Sequence, residues 1–160
     1  MTIKIGDKLP QANFMTMGPE GPQPVTTSEV FSGKRVALFA VPGAFTPTCS
    51  AKHLPGFKDN AAAFKAKGVD AIACTSVNDV FVMGAWGKDQ GVSDEMVMLA
   101  DGNGDFAKEI GLELDATGYG MGARSQRYAM IVNDGVVESL NVEDGGEFKV
   151  SAADYVLDHL

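Results

Sequence analysis

Arg35-Val36-Ala37-Leu38-Phe39-Ala40-Val41 runs directly into Pro42-Gly43-Ala44-Phe45-Thr46-Pro47-Thr48-Cys49-Ser50. The first seven residues are too continuously apolar for a strand with one wet face, so they read as a strand buried on both sides. The segment from Pro42 to Ser50 reads as a turn that opens a helix. Thr46 or Thr48 suits the N-cap of that helix, and Pro47 suits its first turn. Leu54, Phe57, Ala61 and Phe64 then recur at steps of three and four, which predicts one apolar helix face across residues 48–66.

Outward from this unit the pattern repeats. Val69–Ser76, Met96–Leu99 and Tyr128–Val132 are further apolar strand candidates. Asn133-Asp134-Gly135 signals a tight turn into Val136–Leu140, so the last two strands should form a hairpin. Residues 79–89 and 104–111 read as short helices, and Ser151-Ala152-Ala153-Asp154 reads as the capped start of a final helix reaching Leu160. Alternating strands and helices closed by a hairpin imply an α/β fold, with a central mixed β-sheet flanked by helices on both faces and right-handed crossovers. No repeat, low-complexity stretch or linker divides the 160 residues, so one domain spanning 1–160 is expected.

Composition excludes several function classes. The formal charge is −8, with 13 Lys and Arg against 21 Asp and Glu. No basic cluster offsets that balance, which argues against nucleic acid and against an anionic membrane surface. No apolar run approaches the ~18 residues of a membrane span. Met1-Thr2-Ile3-Lys4-Ile5-Gly6-Asp7 lacks the apolar core of a signal peptide, so a cytoplasmic protein is expected. The two cysteines, Cys49 and Cys74, form no C-x-x-C pair. With only His53 and His159 beside them, neither a metal site nor a bound cofactor is expected.

Cys49 is the candidate for chemistry. It falls beyond the carboxyl end of a buried strand, where α/β sheets place ligand sites, and in the first turn of a helix. Unpaired backbone N–H groups and the positive dipole end favour an anion there, and the thiolate is the nucleophilic form of sulfur. A lone cysteine in a reducing compartment is also commonly a small buried apolar residue. Position and capping leave both readings open.

Pro42-x-x-x-Thr46-x-x-Cys49 resembles the active-site signature of the peroxiredoxins. The stretch Val41–Ser50, with His53-Leu54-Pro55-Gly56-Phe57 beyond it, is similar to the type II, peroxiredoxin-5-like group in particular. Further matching blocks are Ser76-Val77-Asn78-Asp79, Leu99-Ala100-Asp101, Gly122-x-Arg124-Ser125-x-Arg127-Tyr128 and Gly145-Gly146-Glu147-Phe148. Together they cover the chain from about residue 3 to its C-terminus.

The resemblance implies a thioredoxin-like fold and a thiol that reduces hydrogen peroxide or alkyl hydroperoxides. Cys49 is then the attacking sulfur, Thr46 a hydroxyl donor to it, and Pro42 its shield from water. The family's arginine falls on Arg127, leaving Arg124 as a surface or dimer-contact residue. The resemblance also implies a homodimer, with Phe45 and Trp86 either at that contact or in the core.

Oxidised Cys49 would be a sulfenic acid, recycled by a second thiol. Some type II members carry a resolving cysteine near the C-terminus, where Val150 stands here. Others carry one after a 24-residue gap, as Cys49 and Cys74 are spaced. Cys74 reads more readily as core, so an outside thiol is expected as reductant, either glutathione with glutaredoxin or thioredoxin. His53 is expected to play a local hydrogen-bonding role. A thiol–disulfide oxidoreductase on the same fold would need a second thiol in Cys49-Ser50-Ala51-Lys52. A redox sensor or holdase chaperone switched by Cys49 oxidation remains a different class of reading.

Ionisation alone would not make a peroxidase. A free thiol is already ~3% ionised at pH 7, so complete ionisation gains about thirtyfold. Lower basicity removes roughly tenfold of that. Donors aimed at the leaving oxygen carry more, on the order of 3 kcal/mol each.

Overall fold

The computed structural model describes Met1–Leu160 throughout. An antiparallel hairpin, β1 (Asn13–Gly18) and β2 (Gly21–Thr26), leads into one turn of helix, α1 (Thr27–Phe31). Thr26 and Glu29 close that turn as a reciprocal capping box, satisfying two orphan amides at once. Strand β3 (Arg35–Ala40) runs into the helical stretch that carries Cys49, which continues as α2 (Leu54–Asp59) and α3 (Ala61–Ala66). Then come β4 (Ala71–Ser76), α4 (Val80–Asp89), β5 (Val97–Ala100) and α5 (Asp105–Glu109). A small pair, β6 (Glu113–Asp115) and β7 (Ala123–Ser125), precedes the hairpin β8 (Tyr128–Asn133) and β9 (Val136–Val142), and α6 (Ala153–Asp158) ends the chain.

Seven strands form one mixed sheet in the order β2-β1-β5-β4-β3-β8-β9. β3, β4 and β5 are parallel neighbours, while β8 lies antiparallel on the other side of β3. Side chains of β3 alternate between two cores, as a period of two requires. Ala37 and Phe39 face a cluster built with α2, α3, α4 and α6, whereas Val36, Leu38 and Ala40 face one built with α1 and α5. Helices therefore cover both faces, and the architecture is thioredoxin-like. Phe39, Phe57 and Phe64 stack in series at centroid distances of 4.3 and 5.2 Å. Each such buried ring stabilises the fold by roughly 1.5–3 kcal/mol.

The turn signal at Asn133-Asp134-Gly135 is met by positive φ at both Asp134 (50°) and Gly135 (79°), as a type I′ turn demands. The strands expected at 35–41, 69–76, 96–99 and 128–132 all form, with ends displaced by one or two residues. The helix expected over 48–66 does not run unbroken. Cys49–His53 is wound as a π turn, with the Leu54 amide donating to the Cys49 carbonyl. Pro55 has no N–H to offer the Ala51 carbonyl and its ring crowds that oxygen, so the turn before it widens. A second break falls at Asn60, whose side chain donates to the Gly56 carbonyl at 2.7 Å and competes with the helix ladder. The final helix starts later than expected and has no side-chain cap, because Ser151 is engaged elsewhere. No helix is long and apolar enough to cross a membrane.

Candidate active site

Val41 extends the pairing of β3 through its amide to the Thr75 carbonyl, and the chain turns at Pro42. Two features shape that turn. Phe45 sits at φ 65°, a strained conformation for a bulky residue. The Ala44 amide before it is pinned by Asn78 Oδ1 at 2.9 Å, an oxygen that also accepts from Ser76 Oγ. A Cβ on Gly43 would stand 3.2 Å from both Thr46 Cγ2 and Met121 Cε, so glycine lets the turn close. Thr46 takes the start of the helix, its carbonyl accepting from the Ser50 amide at 3.0 Å. Contrary to the capping expectation, neither threonine hydroxyl caps the helix. That of Thr46 lies 2.7 Å from the Gly43 carbonyl and 2.8 Å from Cys49 Sγ.

One hydroxyl proton serves two acceptors. When Cys49 is a thiol, its S–H can donate to Thr46 Oγ1 while the hydroxyl donates to Gly43. When it is a thiolate, the hydroxyl must turn to sulfur. Thr46 thus reads the ionisation state of Cys49.

Arg127 arrives through sheet register. Tyr128 of β8 pairs with Ala40 of β3, so the preceding residue stands beside the turn at Pro42. Its Nη2 donates to Cys49 Sγ at 3.0 Å, and its Nη1 donates to His53 Nδ1 at 2.8 Å. No carboxylate pairs with this guanidinium, since the molecule's two ion pairs are Arg35–Glu138 and Lys149–Glu147. Phe148 lies under it at 5.9 Å. The half-buried guanidinium thus has no carboxylate to compete for its Nη2 donor, which is aimed at sulfur.

His53, on the same helical stretch, is fully buried. Its Nε2 donates to the Ser151 carbonyl at 3.0 Å, which leaves Nδ1 as the acceptor that Arg127 needs. Burial first, then the Arg127 charge, lower its pKa to about 3 against the opposing bond to Ser151. The ring is neutral at physiological pH. Ser151 is held in turn by Glu143, whose Oε2 accepts from the Lys149 amide, the Ser151 amide and the Ser151 hydroxyl. Burial pushes the Glu143 carboxyl upward, but those donors, with the Val150 amide, outweigh it and leave its pKa below the ordinary value.

Thr46 and Arg127 both reach Cys49 Sγ, and Pro42 and Arg127 line one groove of about 550 Å³ beside Leu114, Tyr119 and Met121. Arg124, expected as a surface or dimer-contact residue, is partly exposed and anchored through its side chain, donating to the carbonyls of Met121 at 2.9 Å and Val77 at 3.3 Å. Trp86 is core, fully buried, with Nε1 donating to Ser50 Oγ at 3.0 Å. Phe45 is half exposed. Cys74 is fully buried on β4, and burial, then the nearby Cys49 charge, push its thiol pKa up. No three His, Cys, Asp or Glu side chains are grouped to hold a metal ion.

The sequence pattern alone assigns no role to Asn78, Glu143, Ser151 or Phe148 in the site. Asn78 and Phe148 stand in matching blocks, but their partners are set by tertiary contact.

Sulfur, hydroxyl and guanidinium converging beyond the central strand of a thioredoxin-like sheet define the class of cysteine-based peroxidases. The redoxin family model matches residues 4–157. Peroxiredoxin-2E of Arabidopsis thaliana, a chloroplastic protein, is 51% identical over 98% of this chain and 68% of its own length. Peroxiredoxin-2B of the same plant is 48% identical over 97% of this chain and 96% of its own. Among solved structures, reduced Prx3 of Vibrio vulnificus in complex with hydrogen peroxide is 52% identical, with a TM-score of 0.94 and 99% of each chain covered. The chain belongs to the redoxin family as a type II peroxiredoxin, a thiol-dependent peroxidase.

Proposed function

We propose that Cys49 reduces hydrogen peroxide and organic hydroperoxides by in-line displacement and is recycled by an external thiol. The thiolate attacks one peroxide oxygen, forming the S–O bond of a sulfenic acid as the O–O bond breaks. The other oxygen leaves as hydroxide or alkoxide and takes up a proton. Arg127 and the Thr46 hydroxyl donate to the oxygens on which charge grows, and Pro42 limits water at the sulfur. One reducing thiol condenses with the sulfenic acid, giving a mixed disulfide and water. A second thiol attacks that disulfide, restores Cys49 and leaves as the oxidised pair. The observation that carries this reading is the pair of donors on Cys49 Sγ, Thr46 Oγ1 at 2.8 Å and Arg127 Nη2 at 3.0 Å. Hydrogen peroxide as substrate is supported by the complex with Prx3 of Vibrio vulnificus.

The external reductant, glutathione with glutaredoxin or thioredoxin, is supported by the surroundings of the second sulfur. Cys74 lies within a central strand and is fully buried, so no thiolate forms there readily. A homodimer is part of the proposal, supported by two exposed rings, Phe45 in the turn that Asn78 pins and Phe81 in the first turn of α4.

Turnover of hydrogen peroxide with glutathione and glutaredoxin, or with thioredoxin, tests the reading together with mass spectrometry of the peroxide-treated protein. Wild type should turn over many equivalents and carry a glutathione adduct at Cys49 alone, and Cys49→Ser should do neither. A Cys49–Cys74 bridge as the main product would overturn the external route. Stoichiometric oxidation without turnover under every reductant would point to a sensor instead.

A further inference from the structure

We infer that Glu143 is a positioning residue for Arg127, acting through Ser151 and His53; this rests on Arg127 being the donor that stabilises the leaving oxygen. Four hydrogen-bonded links close a ring that begins and ends on the arginine. The Arg127 carbonyl accepts from the Glu143 amide at 2.9 Å. The Glu143 carboxylate accepts from the Ser151 amide at 2.7 Å and from its hydroxyl at 2.5 Å. The Ser151 carbonyl accepts from His53 Nε2 at 3.0 Å, and His53 Nδ1 accepts from Arg127 Nη1 at 2.8 Å. The backbone of Arg127 is thereby tied to the far end of its own side chain.

Each link has one function. The loop from Glu143 to Ser151 contains no helix or strand beyond Val142. A single carboxylate oxygen gathers its amides at Lys149 and Ser151 and no Lys or Arg forms an ion pair with that carboxylate. Folded in this way, the loop sets Phe148 against both the guanidinium and, at 5.1 Å, the imidazole. The Ser151 carbonyl selects the His53 tautomer. With the proton on Nε2, Nδ1 accepts from Arg127. If Ser151 moves and the proton shifts to Nδ1, two donors face each other and the guanidinium is pushed off its line to sulfur. The ring therefore fixes the fork while leaving its other Nη group free for sulfur and peroxide.

A merely structural role for Glu143 would lower stability and slow every reaction of Cys49 alike. A positioning role should slow peroxide reduction selectively, because misplacing a donor by about an ångström costs on the order of a hundredfold. For Glu143→Ala we expect the rate constant with hydrogen peroxide to fall roughly ten- to a hundredfold. Alkylation of Cys49 by iodoacetamide should fall less than about threefold. Glu143→Gln offers the same three donors only a neutral, weaker acceptor, so its rate should fall between those of wild type and Glu143→Ala. In an Arg127→Ala background, Glu143→Ala should cost almost nothing more.

If Glu143→Ala folds poorly, ¹⁵N NMR of the His53 ring in Glu143→Gln carries the question, without reference to activity. The Nε2-protonated form should dominate in wild type and yield to mixed tautomers as the carboxylate charge is lost. An unchanged tautomer there, or equal losses of peroxide and alkylation rates in Glu143→Ala, would overturn the inference alone. An Arg127→Ala variant as fast as wild type would instead overturn the role of Arg127, and this inference with it.

Discussion

Cys49 and Cys74 belong to one apolar cluster and are both fully buried, yet different polar groups reach the two sulfurs. Cys74 sits mid-strand on β4, opposite Phe39, and its environment drives it toward the neutral thiol. Cys49 has a guanidinium at 3.0 Å and a hydroxyl at 2.8 Å. Burial does not decide which cysteine is reactive. Polar groups that remain within reach after burial decide it, because a low dielectric strengthens whatever donors are left.

The contrast breaks most sharply at Arg127. In Arg127→Lys a positive charge remains near Cys49, but the planar fork is replaced by a compact ammonium. The rate constant with hydrogen peroxide, measured by stopped flow, should fall about 10²–10³-fold, the usual loss for one pre-aimed donor. Alkylation of Cys49 at neutral pH should change only severalfold, since nucleophilicity partly offsets thiolate population. Parallel losses would mean that Arg127 only ionises the thiol, and the division between charge and geometry would be wrong.

A third buried ionisable group sharpens the same comparison through pH. Folded His53 has a pKa of about 3 against 6.5 for the free side chain. As pH falls below 6.5 the unfolded chain takes up a proton that the native ring refuses. This contribution to stability is whole above pH 6.5 and is lost at about 1.4 kcal/mol per pH unit down to about pH 3. Urea unfolding should show a loss of about 2 kcal/mol between pH 7 and pH 5. His53→Gln, which can still bridge Arg127 and Ser151, should flatten most of that slope. Glu143 adds a loss only at lower pH, because its carboxyl already lies below the ordinary value.

What can be read from the chain divides along the range of the interactions involved. The buried strand, the turn at Pro42 and the start of the helix at Pro47 are local, and so is the type I′ turn at Asp134-Gly135. Arg127 can be matched to sulfur only by resemblance, because 78 positions separate them and the register of β3 with β8 brings them together. The steps of three and four from Leu54 to Phe64 are true to the buried face but blind to the backbone, which Pro55 widens and Asn60 breaks. Ser151 has the residue type of a cap, but a distant carboxylate outcompetes the helix for it. β1 and β2 leave no alternating signal to read. Pro22 and Pro24 are tolerated in β2 because it is an edge strand, bonded on one side only.

The smallest effect tests the other half of the comparison. Cys74→Ala removes a sulfur that the chemistry does not use, leaving a small void in a packed cluster. Stability should fall by about 1–2 kcal/mol, while the peroxide rate constant stays within about twofold of wild type. One further sign distinguishes this thiol from a resolving one. Its folded pKa is raised above the ordinary 9.0, so its contribution is complete below pH 9 and is lost as pH rises, when the unfolded chain ionises first. Cys74→Ala should therefore lose stability less steeply with rising pH above 9 than wild type does. A tenfold fall in peroxide turnover with a glutathione-based reductant would show that the second sulfur takes part in the cycle, and that its burial opens during turnover.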